Sequence, residues 1–267
     1  MQEALPLRVA PFFVAGPCSL ESEEVAFGAA SWLSERFRSG GTDWLFKGSF
    51  LKDNRSSASG YRGPGLVAGL EILGAVKREF GVRVTTDVHE PSQVERVAET
   101  ADLLQIPAFL CRQTSLLEAA GSTGRPVNVK KGQFMAPGLM AGAVDKLRSR
   151  GCPEVWLTER GTFFGYGDLV VDLRSLGIMA SIADRVLLDV THSLQLPGAA
   201  GDRSGGRREF AVRLARAGAA WGVDGMFFEI HPDPARALSD SDTVLDPATA
   251  GELVDTALEH WVGIPAE

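Results

Sequence analysis

No run of apolar residues approaches the roughly 18 needed to cross a bilayer, so no membrane-spanning helix is expected. No basic tract stands outside short loops, and the net charge is −7. Both speak against nucleic acid as the main partner. Cysteine is scarce: Cys18, Cys111 and Cys152 are an odd number without framework spacing. That excludes a disulfide scaffold and predicts a reducing, cytoplasmic setting. The opening MQEALPLRVAPFFVAGP has no basic leader and too short an apolar run for a signal peptide. Its first ten residues carry no motif. What is present is ordinary globular material, 267 residues of which 45% are hydrophobic. That length suits one large domain or two medium ones, and α/β barrels of this size are usually one.

Short apolar runs alternate with longer amphipathic ones. The runs at 10–16, 43–48, 83–88, 102–107, 126–131, 154–159, 185–191 and 224–230 read as strands. Most are continuous and β-rich, as parallel strands buried on both faces should be. Between them lie helical patterns. One spans 139–148, with Leu139, Met140, Ala143, Val144 and Leu147 on one face. A second spans 206–221, with Phe210, Leu214, Ala217 and Trp221; a third spans 247–262, with Leu253, Ala257 and Trp261. Eight strand–helix pairs without a linker predict a single (β/α)8 TIM-barrel domain, residues 1–9 forming a short N-terminal extension. An open doubly wound sheet is the alternative. It lacks its Gly-rich turn here, since Ala15-Gly16-Pro17-Cys18 is not G-x-G-x-x-G.

A barrel places chemistry at the C-terminal ends of its strands. The polar residues at those ends are Cys18, Lys47, Asp87, Gln105, Lys130 with Lys131, Glu159 with Arg160, His192, and Glu229 with His231. After the second strand comes the polar stretch 46–63, FKGSFLKDNRSSASGYRG. It carries Lys47, Lys52, Asn54, Arg55, Arg62 and four serines. Guanidinium, hydroxyl and loop N–H groups together suit a phosphate. A solvated surface loop has the same composition. The Gly-rich segment 201–206 reads as a mobile loop, either a lid over the site or a plain long connection.

Eight blocks in order resemble the 3-deoxy-D-manno-octulosonate 8-phosphate synthase family. They are AGPCSLESEE (15–24), FKGSFLKDNRSS (46–57), TTDVHE (85–90), QIPAFLCRQT (105–114), NVKKGQF (128–134), LTERGTFFGY (157–166), DVTHSLQLPG (189–198) and FEIHPDPARALSD (228–240). Each is weak alone; together they cover nearly the whole chain. The resemblance implies a (β/α)8 barrel that condenses phosphoenolpyruvate with D-arabinose 5-phosphate, for lipopolysaccharide biosynthesis, as a homotetramer. The related 3-deoxy-arabino-heptulosonate 7-phosphate synthases share the A-G-P-C-S opening but carry something like K-P-R-T-S in the polar stretch. One departure lies there too. The family's usual S-F-D-K-A-N-R-S-S has become Ser49-Phe50-Leu51-Lys52-Asp53-Asn54-Arg55-Ser56-Ser57, so one carboxylate has moved.

By the same resemblance, Lys130 and Arg160 hold the phosphate of phosphoenolpyruvate. Lys47 and Lys52 add anion contacts, Lys52 near the carboxylate and the new bond. Asn54, Arg55 and Ser56 take the distal phosphate of the pentose, and Arg112 adds to that site across a subunit boundary. Asp87, Gln105 and Gln195 suit sugar hydroxyls or the orientation of other groups. Lys131 and Arg62 read as solvated charges.

Cys18 places the chain with the class of the family that needs a divalent metal, where the other class has Asn. The implied ligands are Cys18, His192, Glu229 and Asp240. Thiolate, imidazole and two carboxylates suit Zn²⁺, Fe²⁺ or Mn²⁺. Singly, each has a plainer alternative: a packed thiol, a structural His, and a turn or cap for Asp240 within LSDSD. Lys52, Lys130, His192 and Asp240 are the candidates for catalysis, the last two as proton relays. Two other functions fit the composition. Lys130 at a strand end could form the imine of a class I aldolase, and a barrel can bind a sugar phosphate as a sensor without turnover.

Overall fold

The computed structural model describes residues 11–38, 40–54, 60–163, 167–197 and 205–262. Eight parallel strands close into a barrel: β1 (Phe12–Gly16), β2 (Asp43–Lys47), β3 (Arg83–Asp87), β4 (Leu103–Ile106), β5 (Val127–Lys130), β6 (Val155–Glu159), β7 (Arg185–Asp189) and β8 (Gly225–Glu229). Each pairs with its neighbours in chain order, and β8 returns to β1 with Gly225 opposite Phe12. All eight lie within the predicted runs. Helices follow in turn: α1 (Glu23–Arg38), α2 (Leu66–Phe80), α3 (Pro91–Thr100), α4 (Thr114–Gly121), α5 (Ala141–Ser149), α6 (Arg174–Ala180), α7 (Ala211–Trp221) and α8 (Pro247–His260). Among the described residues, no helix is long and apolar enough to cross a membrane.

Strand alternation divides the core in two. The inward residues Phe12, Val14, Leu45, Leu103, Trp156, Leu187 and Phe227 fill the barrel as one cluster. The outward set, Phe13, Phe46, Leu104, Val129, Leu157, Leu188 and Phe228 among others, packs under the helices as a second. Local rules agree with the fold. In α1, Glu23 and Glu24 open the helix and Arg36 and Arg38 close it, matching its dipole. Its apolar stripe Ala26, Ala29, Ala30, Leu33 and Phe37 is buried. Helix α3 starts with Pro91 inside a capping box made by Glu90 and Gln93. Gly16 ends β1 where the chain runs so close to β2 that an added Cβ would lie 2.0 Å from the Lys47 carbonyl oxygen.

Three local expectations change. Residues 137–140 form a 3₁₀ turn before α5, which leaves Leu139 66% exposed. The buried face of α7 is Ala211, Ala215, Gly218 and Ala219, and not the line through Phe210, Leu214, Ala217 and Trp221. Small residues are needed on that face because the helix approaches β7 closely: a Cβ on Gly218 would meet Leu188 Cδ2 at 2.5 Å. Two short antiparallel pairs, Thr162–Phe163 with Leu169–Val170 and Gln195–Leu196 with Gly205–Gly206, decorate the barrel mouth. The second pair takes up the end of the predicted Gly-rich loop, whose residues 201–204 lie outside the described residues.

Candidate active site

The inward positions turn polar at the C-terminal end of the barrel. Leu45 is followed two residues later by Lys47, Leu187 by Asp189, and Phe227 by Glu229, so the same strand period that fills the core delivers charge to the mouth. Loops add Cys18, Lys52, Arg160, His192, Gln195 and Asp240. Lys47 is 1% exposed; its Nζ donates to Glu229 Oε1 at 2.5 Å and to the Cys18 carbonyl at 3.0 Å. Lys52 Nζ lies 3.9 Å from the same Glu229 oxygen. Lys130 Nζ donates to Asp189 Oδ2 at 2.5 Å and stands 3.5 Å above the centre of the Phe227 ring. Arg160 donates through Nη2 to Gln195 Oε1 at 2.7 Å, and Gln195 Nε2 donates to Asp240 Oδ1 at 2.8 Å. Arg160 Nη1 is buried without a hydrogen-bond partner among the described residues.

Four cations therefore face four carboxylates: Lys47, Lys52, Lys130 and Arg160 against Asp87, Asp189, Glu229 and Asp240. Burial alone would raise the carboxyl pKa values. For Asp87 the neighbouring lysines outweigh it, and for Asp189 and Glu229 the charge on His192 and then the lysines do, so all three groups are held well below the usual carboxylate range. Burial works to lower the pKa of Lys52, but Cys18, Glu229, Asp87 and Asp240 raise it overall. For Lys130 burial prevails over Asp189, and the pKa falls. A belt of side chains ties Asp87 to the neighbouring strands. Gln105 Nε2 donates to Asp87 at 2.8 Å, Asn128 Nδ2 to Gln105 at 2.9 Å, and Thr158 Oγ1 to Asn128 at 2.8 Å, while Ser49 Oγ donates to the other Asp87 oxygen at 2.5 Å.

Cys18, Glu229 and Asp240 each offer one ligand atom, all within 4.8 Å of one another. Cys18 Sγ lies 2.8 Å from Asp240 Oδ2, and burial, then the two carboxylates, push its thiol pKa up. Glu229 Oε2 is buried and has no hydrogen-bond partner among the described residues. His192 Nε2 is 3.6 Å from that orphaned oxygen. Its Nδ1 lies 2.8 Å from Asp189 Oδ2, nearer than the 3.3 Å to Lys130 Nζ. Asp189 thus accepts from Nδ1 and turns Nε2 toward Glu229, the orientation of a metal-ligating His with its outer carboxylate. Asp240 has φ 52, a left-handed conformation that Asp tolerates better than most residues. An unpaired buried oxygen beside sulfur, nitrogen and carboxylate donors fits a divalent first-row ion.

Not every expected residue joins this cluster. Asn54 is exposed, and Asp53 beside it pairs with Arg62 in solvent. Arg55 and Ser56 lie outside the described residues. Arg112 is exposed on the loop after β4, and its carbonyl accepts from Lys146. Gln105 is wholly buried and spends its amide on Asp87 and Asn128, so its part here is to orient. Arg62 has the exposed setting expected of it, but Lys131 does not. Lys131 is 0% exposed and lies 3.3 Å from Glu159 Oε1, because it points outward from β5 beneath the helices, away from solvent. The residue that was missed is Asp189. Its signal was available: it stands opposite Phe227, inward in the same alternation that yields Glu229. A hollow of about 370 Å³ lies between the two hairpins, lined by Leu169, Val171, Leu194, Phe210, Leu214 and Arg207, with Gln195 at its edge.

A parallel barrel with buried lysines and an arginine around a Cys–Glu–Asp group at its C-terminal mouth is the frame of an enzyme for small, multiply anionic substrates. Residues 9–260 match the family model described as the DAHP synthetase I family. The 2-dehydro-3-deoxyphosphooctonate aldolase of Syntrophotalea carbinolica is 54% identical over 227 residues, 85% of this chain and 82% of that protein. The protein of the same name from Nitratidesulfovibrio vulgaris (strain DP4) is 53% identical over 240 residues, 89% and 88% of the two chains. That from Alkalilimnicola ehrlichii is 49% identical over 248 residues, 93% and 90%. The chain belongs to the DAHP synthetase I family, within its 2-dehydro-3-deoxyphosphooctonate aldolase (3-deoxy-D-manno-octulosonate 8-phosphate synthase) branch.

Proposed function

We infer that this enzyme condenses phosphoenolpyruvate with D-arabinose 5-phosphate and water, giving 3-deoxy-D-manno-octulosonate 8-phosphate and inorganic phosphate for lipopolysaccharide biosynthesis. The observation that carries the reading is the convergence of Lys47, Lys52, Lys130 and Arg160, all buried, on one barrel mouth. Phosphoenolpyruvate brings a phosphate and a carboxylate to these cations. Arg160, with a buried Nη1 unpaired among the described residues, and Lys130 take the phosphate; Lys52 takes the carboxylate. Asn54, Arg55 and Ser56 take the distal phosphate of the pentose. C3 of the enol attacks the aldehyde carbon, water adds at C2, and the C2–O bond to phosphate breaks. Negative charge grows on the aldehyde oxygen and on the leaving phosphate, where cations already in place lower the barrier. Lys47, held by Glu229, keeps that carboxylate charged and aimed.

Cys18, His192, Glu229 and Asp240 would hold a divalent ion, which supplies Lewis-acid polarisation of an oxygen when bound. Asp189 orients His192 for that role. The reading extends to a single barrel domain in a cytoplasmic homotetramer, with residues 1–9 a short extension and Arg112 reaching a neighbouring site.

The test is phosphate release from phosphoenolpyruvate by the manganese-supplied protein, with arabinose 5-phosphate and erythrose 4-phosphate side by side. Strong preference for the pentose is expected; preference for the tetrose would overturn the substrate assignment. For the metal, Cys18→Asn should lower metal content measured after gel filtration. Unchanged metal content, with activity still lost to a chelator, would remove Cys18 from the ligand set. Lys130 has the lowered pKa an imine-forming lysine needs, but Asp189 and the Phe227 ring both favour its charged form. Borohydride with pyruvate should therefore trap no adduct.

A further inference from the structure

Adjacent residues at the ends of β5 and β6 point to opposite sides of the barrel wall. Lys130 and Arg160 point in, and Lys131 and Glu159 point out, beneath α6. The outer pair is buried, at 0% and 1% exposure. Neither residue touches the reaction centre, and a buried ion pair of this kind is costly to desolvate. Most of its hydrogen bonds go to residues 160–162, with one more from Lys131 Nζ to the Gly132 carbonyl at 3.4 Å. Glu159 Oε1 accepts from Gly161 N at 2.7 Å and from Arg160 N at 3.1 Å, and lies 3.3 Å from Lys131 Nζ. Glu159 Oε2 accepts from Ser175 Oγ on α6 at 2.7 Å. Lys131 Nζ donates to Thr162 Oγ1 at 3.0 Å and to the Gly161 carbonyl at 3.4 Å. Gly161 has φ +86, and a Cβ there would lie 2.9 Å from Leu169 Cβ, so the turn needs glycine. The residue launched from this turn is Arg160, whose buried Nη1 has no partner among the described residues.

We propose that Lys131, Glu159 and Ser175 form a clamp outside the barrel wall. It grips the backbone of residues 160–162 and thereby positions the Arg160 guanidinium for a phosphate inside. The three are positioning residues, acting through Arg160. The proposal rests on the reading above that Arg160 receives the phosphate of phosphoenolpyruvate. It makes Lys131 a part of anion affinity that faces away from the anion.

The test uses the full chain with Glu159→Gln, Lys131→Met, the double variant, and Ser175→Ala. Two readouts are taken: affinity for inorganic phosphate by calorimetry, which needs no turnover, and the kinetics with manganese supplied. Each charge-removing single variant should weaken phosphate binding and raise KM for phosphoenolpyruvate by about tenfold, the scale of one charge-assisted hydrogen bond. The KM for arabinose 5-phosphate should stay near the wild-type value, while kcat falls together with phosphoenolpyruvate affinity, because Arg160 also meets the leaving phosphate. The double variant should lose less than the product of the two single losses, because neither charge is then left alone. Ser175→Ala, the mildest change, should raise the same KM by two- to threefold, roughly half a kcal/mol, with an unchanged unfolding midpoint. It decides the matter if a charge variant fails to fold. Folded variants that bind phosphate as wild type does would overturn the clamp. So would equal losses in kcat and in both KM values that follow the fall in stability. A wild type that binds phosphate but releases none from phosphoenolpyruvate would reject the functional reading and leave the calorimetry to judge the clamp.

Discussion

The two ends of the barrel use the same ingredients to opposite effect. At the N-terminal end, Arg83 and Arg185 lie over Phe12, and Arg185 also over Trp156. Of their carboxylate partners, Asp43 is exposed and Glu154 half-buried. At the C-terminal end, Lys130 lies over Phe227 and Lys47 is within 5.5 Å of the same ring, but their partners Asp189 and Glu229 are wholly buried. Cation, ring and carboxylate recur; only the solvent differs. Water screens the first set, so it seals the barrel floor at little electrostatic cost. The second set keeps its field, which is what a site for anions requires.

This contrast can be broken first at Glu229. Glu229→Ala leaves the buried Lys47 with Asp87, 3.9 Å away, as its nearest carboxylate, and should cost about 3–5 kcal/mol in denaturant unfolding and lower the metal content. A loss below 1 kcal/mol would mean that the mouth is wetter than its burial implies. Asp189→Asn should come next. It keeps the shape but removes the charge that fixes the His192 proton, so metal affinity should fall by about 10–100-fold; equilibrium dialysis would show it. Acid reads the contrast without mutation. Asp87, Asp189 and Glu229 have folded pKa values below their unfolded ones, so between the two values the unfolded chain binds more protons. Their stabilisation is complete above roughly pH 5 and drains away as pH falls through the carboxylate range and beyond. Glu229→Ala should flatten that slope in unfolding curves recorded from pH 6 downward. The smallest effect belongs to the floor: Arg83→Ala should change stability by less than about 1 kcal/mol and leave phosphate release unchanged.

The fold was legible because buried parallel strands advertise themselves. Each of β1 to β8 is a short β-rich run with polar residues where it stops, and the eight runs fall in order. The two-residue hairpins carry no period and could not be seen. At and just before α7 the large residues Phe210, Leu214 and Trp221 drew the apolar line, whereas close packing on Leu188 selected Ala and Gly. The site was legible where residue type and family pattern agreed, as at Cys18, Lys130 and Asp240. It was not legible where direction decides. Lys130 and Lys131 are identical in type and adjacent, yet one faces the mouth and the other the helices. Asp189 was overlooked for a related reason: placing the end of β7 at residue 191 hid a carboxylate that the strand aims inward.

The belt from Thr158 to Asp87 has a direction. Each donor along it, Thr158, Asn128 and then Gln105, gives its hydrogen toward the next residue in the same sense, and the row ends on an anion. Aligned dipoles polarise one another, so four strands share the task of solvating one largely buried negative charge. Such a row works in one orientation only. A flipped amide at Gln105 would set oxygen against the Asp87 carboxylate on one side and N–H against N–H on the other, and a flipped Asn128 would set its oxygen against that of Gln105. The wall of this half of the barrel is thus a one-way hoop, and its members are free to change in evolution as a set but not singly.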